Sequence, residues 1–366
     1  MSQDFIDQAK DLRSSDAFDI QAVNLWLKNN TSDELKETFE HTPVVKQFSG
    51  GASNLTYHLD YPAVNGKKYD FILRRPPAGQ KAASAHDMKR EFNVMNSLKP
   101  VYPHVPEMIA FCDDQSVIGC DFYIMKRVEG IIPRANLPKG MTLSKDQGHQ
   151  LCLSVIDKLI ELHQVDYKEA GLESLGKGNG YVERQVKGWS ERFVKAKTWN
   201  VPSFKKTMQW LNKHQPEDVA TCIIHNDYRM DNVVLNPNNP SEIIGVLDWE
   251  MATLGDPLMD LGGSLAYWIQ ADDDAFIKMI RRQPSHIPGM LSRKEIVDYY
   301  CQKMNLDSSH WDFYEVFGLF RLAVIIQQIY YRYHHKQTDN PAFKRFWLFN
   351  HYINWRCKKI IRNSNI

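Results

Sequence analysis

Polar side chains stand at fixed intervals after a short apolar run near the middle of the 366-residue chain. Ile223 and Ile224 are followed by His225, Asp227 and Asn232 in the pattern His-x-Asp-x-x-x-x-Asn. Asp227 offers a carboxylate, and the amide of Asn232 offers an oxygen suited to a hard cation. Phosphoryl transfer requires a carboxylate beside the attacking hydroxyl and oxygen ligands for magnesium. The segment therefore predicts a phosphoryl-transfer site.

A second acid follows at a position that a hairpin would bring back to the first. Val233 to Leu235 predicts a short strand, turn-forming residues follow, and Ile243 to Leu247 predicts the returning strand, which ends in Asp248. Because a hairpin places the start of its first strand beside the end of its second, we expect Asn232 and Asp248 to be neighbours. An amide oxygen and a carboxylate held together form part of a magnesium site.

The other polar residues of this region have structural interpretations. His225 is predicted to be packed and hydrogen-bonded, since no second His or Cys ligand stands at a spacing that would complete a zinc site. A turn-forming Asp is the alternative interpretation of Asp227. Asp256 before Pro257 predicts a helix start. Asp260, one turn later, is either a brace for the catalytic loop or a helix-surface acid.

The first third of the chain is rich in predicted strands. Alternation and turn residues predict strands at four places: Val44 to Phe48, Leu55 to Leu59, Tyr69 to Arg74 and Phe122 to Val128. Apolar residues at helical intervals predict a helix at Phe18 to Leu27 and another around Met88 to Leu98. Along the chain, a glycine-containing turn is therefore followed by a strand that ends in basic residues and then by a helix that carries an acid.

The glycine-containing turn lies between the first two predicted strands. Gly50, Gly51, Ser53 and Asn54 form it, and glycines let backbone N–H groups approach phosphate oxygens. A simple hairpin turn explains the same residues. Taken with the neighbouring charges, the turn is predicted to contact a nucleotide.

Two arginines at the end of the next strand supply the cation. Strand alternation sends Arg74 and Arg75 to opposite faces, with Arg75 on the face of Phe71 and Leu73. Arg74 is therefore the predicted phosphate contact, and Glu91 on the following helix is its predicted ion-pair partner. Two solvent-exposed arginines at a strand end are the alternative.

After Gly130 the pattern changes from strands to long helical stretches, among them Tyr181 to Lys213 and most of the chain from Pro257 onward. The predicted fold is α+β with two lobes. Residues 1–128 form a small lobe with an antiparallel sheet, and residues 129–366 form a larger, mostly helical lobe. A cleft between the lobes is the expected place for a ligand.

Composition limits the partners and the compartment. The chain carries 45 basic and 44 acidic residues, which gives no electrostatic argument for nucleic acid or an anionic membrane. Six cysteines without a Cys-x-x-Cys pair predict reduced thiols in a cytoplasmic protein. The N-terminal residues lack the apolar run of a signal peptide, and Arg321 interrupts the longest apolar region, Val316 to Ile329.

Several motifs together resemble the aminoglycoside phosphotransferase-like kinase family, which includes choline kinases and has a protein-kinase-like fold. The resemblance is carried by His225 to Asn232, Val246 to Glu250 and Gly255 to Leu261, supported by Phe71 to Pro77 and Leu162 to Asp166. It extends from about residue 40 to 270. The residues of these motifs are most similar to those of the kinase-like domain fused to some acyl-CoA dehydrogenases.

The resemblance implies a role for each matching position. Asp227 would orient the acceptor hydroxyl and take its proton, while Asn232 and Asp248 would bind Mg²⁺. Arg74 would replace the lysine that contacts the phosphates of ATP, with Glu91 as its helix partner. The expected activity is transfer of the γ-phosphoryl group of ATP to the hydroxyl of a small molecule.

The resemblance also implies a hinge against adenine at Met125 to Val128, which includes Arg127. Two departures bear on the chemistry. Arginine at the lysine position is a planar, bidentate donor rather than a point charge. Trp249 after Asp248 replaces the Phe of the Asp-Phe-Gly motif of protein kinases.

The identity of the acceptor stays open at this level. Asp272 to Asp274 is the one acidic cluster in the helical region that suits a polycation, and a solvated loop explains it as well. A hydroxy acid or hydroxyacyl compound would suit cations among aromatic residues. A nucleotide-binding regulator without transfer activity and a metal-dependent phosphohydrolase are the alternative functions.

Overall fold

The computed structural model describes residues 5–48, 54–77 and 87–366. The chain divides into two compact units, Met1–Ile132 with Val233–Glu250, and Pro133–Asn232 with Met251–Ile366. The chain first passes from one unit to the other after Ile132, close to the boundary predicted after residue 128. The hairpin after Asn232, which the sequence assigned to the helical lobe, belongs to the first unit. The hairpin pairs with other residues of the first unit. A β-bridge joins Leu235 to Ile131, and the N–H of Val246 donates to the backbone oxygen of His104.

The first unit contains a six-stranded antiparallel sheet in the order β1-β2-β3-β4-β6-β5. Its strands are β1 (Lys10–Asp11), β2 (Val44–Gln47), β3 (Leu55–Asp60), β4 (Asp70–Arg75), β5 (Met108–Cys112) and β6 (Phe122–Lys126). Its helices are α1 (Ile20–Asn30), α2 (Asp33–Lys36), α3 (Met88–Leu98) and α4 (Gln115–Ile118). The four predicted strands and both predicted helices are present, within two or three residues.

The core of the first unit lies between α1 and one face of the sheet. Leu27, Tyr57, Phe71 and Leu73 are fully buried in it. Helix α1 begins at Ile20 rather than at Phe18, because the side chain of Asp19 accepts the N–H groups of residues 21 and 22. Alternation along β4 then directs the even-numbered side chains, Ile72 and Arg74, to the opposite face.

The hairpin of the first unit is formed by β8 (Val233–Asn236) and β9 (Asn239–Val246). The strands pair antiparallel, with Val233 opposite Val246. The predicted hairpin is therefore present. Asn232 directly precedes its first strand, and Asp248 lies two residues after the end of its second.

The second unit is mainly helical. Its helices are α5 (Lys145–His163), α6 (Tyr181–Ala196), α7 (Lys205–Lys213), α8 (Pro257–Leu265), α9 (Ala275–Lys278), α10 (Arg293–Met304), α11 (Trp311–His334) and α12 (Phe346–Asn363). Strands β7 (Cys222–Ile224) and β10 (Thr253–Gly255) pair antiparallel. The helical pattern predicted from Tyr181 to Lys213 is interrupted, because Pro202 cannot continue a helix and Phe204 has a φ of +50°.

Helix α11 forms the centre of the second unit. By length and composition it is a candidate membrane span, yet 78% of its apolar 18-residue stretch is buried inside the protein. Gln327 donates to the carbonyl of Ala196 from within that interior. Gly318 meets Gly262 of α8 so closely that a Cβ at Gly318 would lie 2.2 Å from the Gly262 oxygen. Helix α11 is thus packed as a core helix against the element that carries Asp260.

Candidate active site

A buried carboxylate on α8 fixes the loop that follows β7. Oδ2 of Asp260 accepts the N–H of His225 at 2.9 Å, and Oδ1 accepts the N–H of Asn226 at 2.8 Å. Oδ2 also accepts a hydrogen bond from Nε2 of His163 at 3.1 Å. Burial alone would raise the pKa of Asp260, but the hydrogen bonds from His163 and His225 outweigh it and hold the pKa below its ordinary value. Of the two roles considered for Asp260, the structure therefore gives the brace.

The brace continues through His163 to Tyr300. Nδ1 of His163 lies 2.6 Å from the Tyr300 hydroxyl. Because the ionised Asp260 can only accept, Nε2 of His163 carries a hydrogen and donates to it. His225 is itself fully buried, and its Nδ1 accepts the N–H of Asp227 at 3.3 Å. This is the packed, hydrogen-bonded environment expected for His225.

Asp227 and Asn232 lie together in this loop. Nδ2 of Asn232 donates to the backbone oxygen of Asp227 at 2.9 Å and to its Oδ2 at 3.3 Å. Both of these oxygens can only accept, so the NH₂ end of the amide must face Asp227. Oδ1 of Asn232 is then the atom available to a cation. The side chain of Asp227 is 26% exposed, which leaves it accessible to a substrate.

Arg229 is a residue of the loop that the sequence analysis did not assign. Its Nη1 lies 2.5 Å from Oδ1 of Asp227, and its Nε lies 2.8 Å from Oδ1 of Asp231. The guanidinium lies 4.8 Å from the ring centroid of Tyr267. Burial would lower the pKa of Arg229, but Asp227 and Asp231 raise it above its ordinary value. The signal in the sequence was an arginine between two acids inside the motif.

In the first unit, Arg74 joins two acids. Its Nη1 lies 2.6 Å from Oε1 of Glu91, and its Nη2 lies 3.2 Å from Oδ1 of Asp248. The expected pairing of Arg74 with Glu91 is thus present, and the contact with Asp248 is additional. Burial raises the pKa of Glu91 to about 7, although the Arg74 guanidinium opposes the shift.

Arg75 is buried on the other face of the sheet. Its Nη2 donates to the backbone oxygen of Asp16 at 2.8 Å, and its Nε donates to the Tyr57 hydroxyl at 3.1 Å. The alternative of two solvent-exposed arginines is wrong, because both Arg74 and Arg75 are less than one-tenth exposed. Alternation along β4 therefore separates a charged cluster from a structural anchor.

The remaining predicted nucleotide contacts have varied environments. Gly50, Gly51 and Ser53 lie outside the described residues. Asn54 is buried, and its Nδ2 donates to Oε2 of Glu250 at 3.1 Å. This contact joins the residue before β3 to the segment that follows Asp248.

The predicted hinge residues lie in β6 and directly after it, and Arg127 contacts the N-terminal segment of the chain. Met125 is buried on β6 opposite Ile72. Arg127 donates to the backbone oxygen of Asp7 at 2.8 Å and lies 3.9 Å from Asp70. The guanidinium of Arg127 is therefore engaged by protein groups of its own unit.

The predicted magnesium ligands each retain an oxygen of the right chemistry. Asn232 has its Oδ1, as argued above, and Asp248 has a second carboxylate oxygen beyond the one that Arg74 binds. Carboxylate and amide oxygens suit a hard cation. Within the part of the chain that the structure describes, no group of three or more His, Cys, Asp or Glu side chains forms a larger metal site.

Comparison with known proteins places this chain in a family. The profile of the phosphotransferase enzyme family matches residues 44–296, and the chain belongs to that family. The resemblance found in the sequence is confirmed. A solved structure from Ralstonia eutropha, provisionally described as an aminoglycoside phosphotransferase, is 28% identical with a TM-score of 0.75 and covers 94% of this chain and 99% of its own.

Choline kinase from Cryptosporidium parvum shares the fold, with a TM-score of 0.61 at 13% identity, and covers 94% of this chain and 96% of its own. The predicted α+β, protein-kinase-like fold is therefore confirmed.

Curated relatives identify the branch. Human acyl-CoA dehydrogenase family member 11 is 33% identical over 323 residues, which cover 86% of this chain and 40% of that protein. Mouse acyl-CoA dehydrogenase family member 10 is 33% identical over 288 residues, which cover 78% of this chain and 26% of that protein. The chain thus spans less than half the length of these relatives.

Proposed function

We propose that this phosphotransferase is an ATP-dependent kinase that transfers the γ-phosphoryl group to the hydroxyl of a small molecule. The observation that carries the proposal is the environment of the Asp227 side chain. It is an accessible carboxylate held by Arg229 and Asn232, in a loop that Asp260 braces from beneath. A structural turn Asp does not require so many fixed partners.

Each residue contributes a distinct step. Asp227 accepts a hydrogen bond from the acceptor hydroxyl, orients it and receives its proton. Asn232 and Asp248 would hold Mg²⁺ through their side-chain oxygens, and Arg74 would donate to the nucleotide phosphates. A magnesium ion held there would supply positive charge to offset the negative charge of the phosphoryl oxygens. The buried Glu91 keeps the Arg74 guanidinium in place.

The charges of the second unit favour an anionic acceptor, a hydroxy acid or a hydroxyacyl compound, over a polycation. Arg229 and the largely exposed Arg282 both lie within ion-pair distance of Asp231. Tyr267, whose ring lies against Arg229, is surrounded by the charges of Asp227, Arg229, Arg282 and Arg321. Three arginines thus stand near Asp227 and Asp231, and their side chains would suit an anionic acceptor.

The acidic cluster that would suit an aminoglycoside is used within the structure. Asp273 forms an ion pair with Arg293, and its pKa lies below the ordinary value because hydrogen bonds and the charge of Arg293 outweigh the effect of burial. Asp274 caps α9 and accepts from Tyr352. Asp272 accepts from Gln270 at 3.0 Å. The acyl-CoA dehydrogenase names of the relatives also support an acyl compound as substrate.

A product screen tests the proposal. The protein is incubated with ATP and Mg²⁺ and with hydroxy acids, hydroxyacyl-CoA esters, amino alcohols or aminoglycosides, and products are identified by mass spectrometry. We expect one phosphoryl group added to an acid or acyl compound. ATP binding without product from any acceptor would favour the regulator, and phosphate release from phosphate esters without ATP would favour the hydrolase.

We also propose a cytoplasmic location. All six cysteines are free thiols, and five of them are buried. Buried, unpaired thiols suit a reducing compartment.

A further inference from the structure

We propose that Arg229 is the positioning residue for Asp227, and that Asp231 and Tyr267 hold Arg229 in the orientation that this requires. The inference rests on the proposed function, in which Asp227 receives the hydroxyl proton. Neither the motif spacing nor the family match assigns a role to Arg229.

The guanidinium of Arg229 has a partner on each side. Nη1 contacts Asp227 at 2.5 Å, while Nε and Nη2 contact the two carboxylate oxygens of Asp231 at 2.8 and 3.4 Å. The plane of the group lies against the ring of Tyr267. Since the side chains of Arg229 and Asp231 are 14% and 7% exposed, they form a buried fork rather than a hydrated surface pair.

This fork fixes the plane of the Asp227 carboxylate. Arg229 holds Oδ1 and Asn232 approaches Oδ2, so rotation of the group about its Cβ–Cγ bond would break both hydrogen bonds. The orientation of the proton acceptor is thereby set before the substrate arrives.

Asp231 lies on a short turn that places its carboxylate beside Arg229. The turn that carries Asp231 is itself fixed, because the N–H of Met230 donates to Oε1 of Gln283 at 2.8 Å.

A lysine at position 229 separates geometry from charge. Its single ammonium keeps the positive charge but cannot make the planar fork to two carboxylates. Arg229→Lys should therefore lower kcat about tenfold to a hundredfold, with KM for ATP and for the acceptor changed less than about threefold. Asp231→Asn should act in the same direction, and the double variant should be little worse than Arg229→Lys alone.

Arg293→Lys is the matched control. It removes a similar fork in the same unit, where Nη1 and Nη2 of Arg293 contact Asp273 at 2.6 and 2.9 Å and neither atom contacts Asp227. We expect a comparable fall in melting temperature and an unchanged kcat. The inference is overturned when Arg229→Lys retains the wild-type kcat, when only KM changes, or when Arg293→Lys loses as much kcat.

Crystal structures of the two variants give a readout that does not depend on activity. Asp227 should turn away from its present orientation in Arg229→Lys and keep it in Arg293→Lys. An unchanged Asp227 in Arg229→Lys contradicts the inference. Failure of the wild-type protein to phosphorylate any acceptor would contradict the proposed function instead, so the two failures are distinguishable.

Discussion

The Nη2 atom of Arg74 donates to Oδ1 of Asp248 at 3.2 Å across a separation of 174 residues in sequence. Asp248 has a φ of +70°, a backbone conformation that non-glycine residues rarely adopt. The residue predicted to contact the phosphates is therefore in direct contact with a predicted magnesium ligand. Nucleotide and metal binding should consequently depend on the same guanidinium.

Arg74→Lys should weaken both kinds of binding. One ammonium cannot maintain the contacts with Glu91 and Asp248 together, so we expect the Mg²⁺ concentration for half-maximal activity and KM for ATP to rise about tenfold, the effect of roughly one lost charge-assisted hydrogen bond. Titration of activity with Mg²⁺ and with ATP measures both. Thermal-shift titration with Mg²⁺ gives a second measurement without turnover.

Arg75→Lys is the control for that experiment. Arg75 is equally buried on the neighbouring position, but it anchors Tyr57 and the backbone of Asp16. We expect lower stability with an unchanged Mg²⁺ requirement. Equal Mg²⁺ dependence in the Arg74 and Arg75 variants would show that Arg74 has no special link to the metal site.

Asp260→Asn should damage both the loop and the stability of the second unit. The carboxylate accepts two backbone N–H groups and the His163 ring. An amide has a single accepting oxygen, and its NH₂ would face a donor. Unfolding in urea should show a loss of about 2–4 kcal/mol, because a buried donor is left unpaired.

The activity of that variant should fall together with its stability. Asp298→Asn is the control, since the exposed pair of Asp298 with Lys294 contributes little. A stable Asp260→Asn protein with normal kcat would remove the brace from the mechanism.

The parts of the site that were predictable from sequence depend on local pattern. The hairpin β8–β9 follows from two apolar runs around turn residues. The different environments of Arg74 and Arg75 follow from strand alternation, and helix α3 then presents Glu91. Contacts that need the tertiary fold were not predictable. The contact between Arg74 and Asp248 is the example, because no local rule relates residues so far apart.

Other residues were missed for different physical reasons. Strand β1, Lys10–Asp11, is polar and exposed, so it has no alternation to detect. Asp260 gave two interpretations because a helix-surface acid and a buried brace have the same sequence signature. The role of Arg229 depends on Tyr267, which approaches it only in the folded second unit.

Gly318→Ala should destabilise the crossing of α8 and α11. The added Cβ would lie 2.2 Å from the backbone oxygen of Gly262, which a side-chain rotation cannot relieve. We expect a loss of about 2 kcal/mol or more in the free energy of unfolding, as for other overpacked sites. Thermal or urea unfolding is the measurement.

Gly188→Ala provides the opposite expectation. It lies inside α6, where an added Cβ would meet its nearest atom only at 3.9 Å. Alanine there should stabilise the protein by about 0.5–1 kcal/mol through helix propensity. An equal gain in stability for Gly318→Ala would argue against close packing at Gly318.

Asp256 should make stability depend on pH. Burial raises its pKa to about 6, although hydrogen bonds from Val219 and Met259 oppose the shift. Between the ordinary value of 3.8 and about 6, the folded protein holds a proton that the unfolded chain has released. The contribution to stability is therefore present below pH 4 and is lost as the pH rises to about 6, by about 3 kcal/mol.

Comparison with Asp256→Asn isolates that effect. The amide cannot titrate, so the fall in stability between pH 4 and 6 should become shallower, beyond the pH-independent loss of one hydrogen bond. Urea unfolding at intervals across this range measures the slope. Identical slopes in the two proteins would mean that Asp256 is ionised throughout.

The central claim is that Asp227 orients and deprotonates the acceptor hydroxyl, and a single-turnover assay of Asp227→Ala tests it most directly. Transfer of labelled γ-phosphoryl from ATP to the acceptor is followed together with the affinity for ATP and Mg²⁺. We expect the transfer rate to fall about 10²- to 10⁴-fold, while the affinity for ATP stays near that of the wild type. Transfer at the wild-type rate by Asp227→Ala would contradict the account.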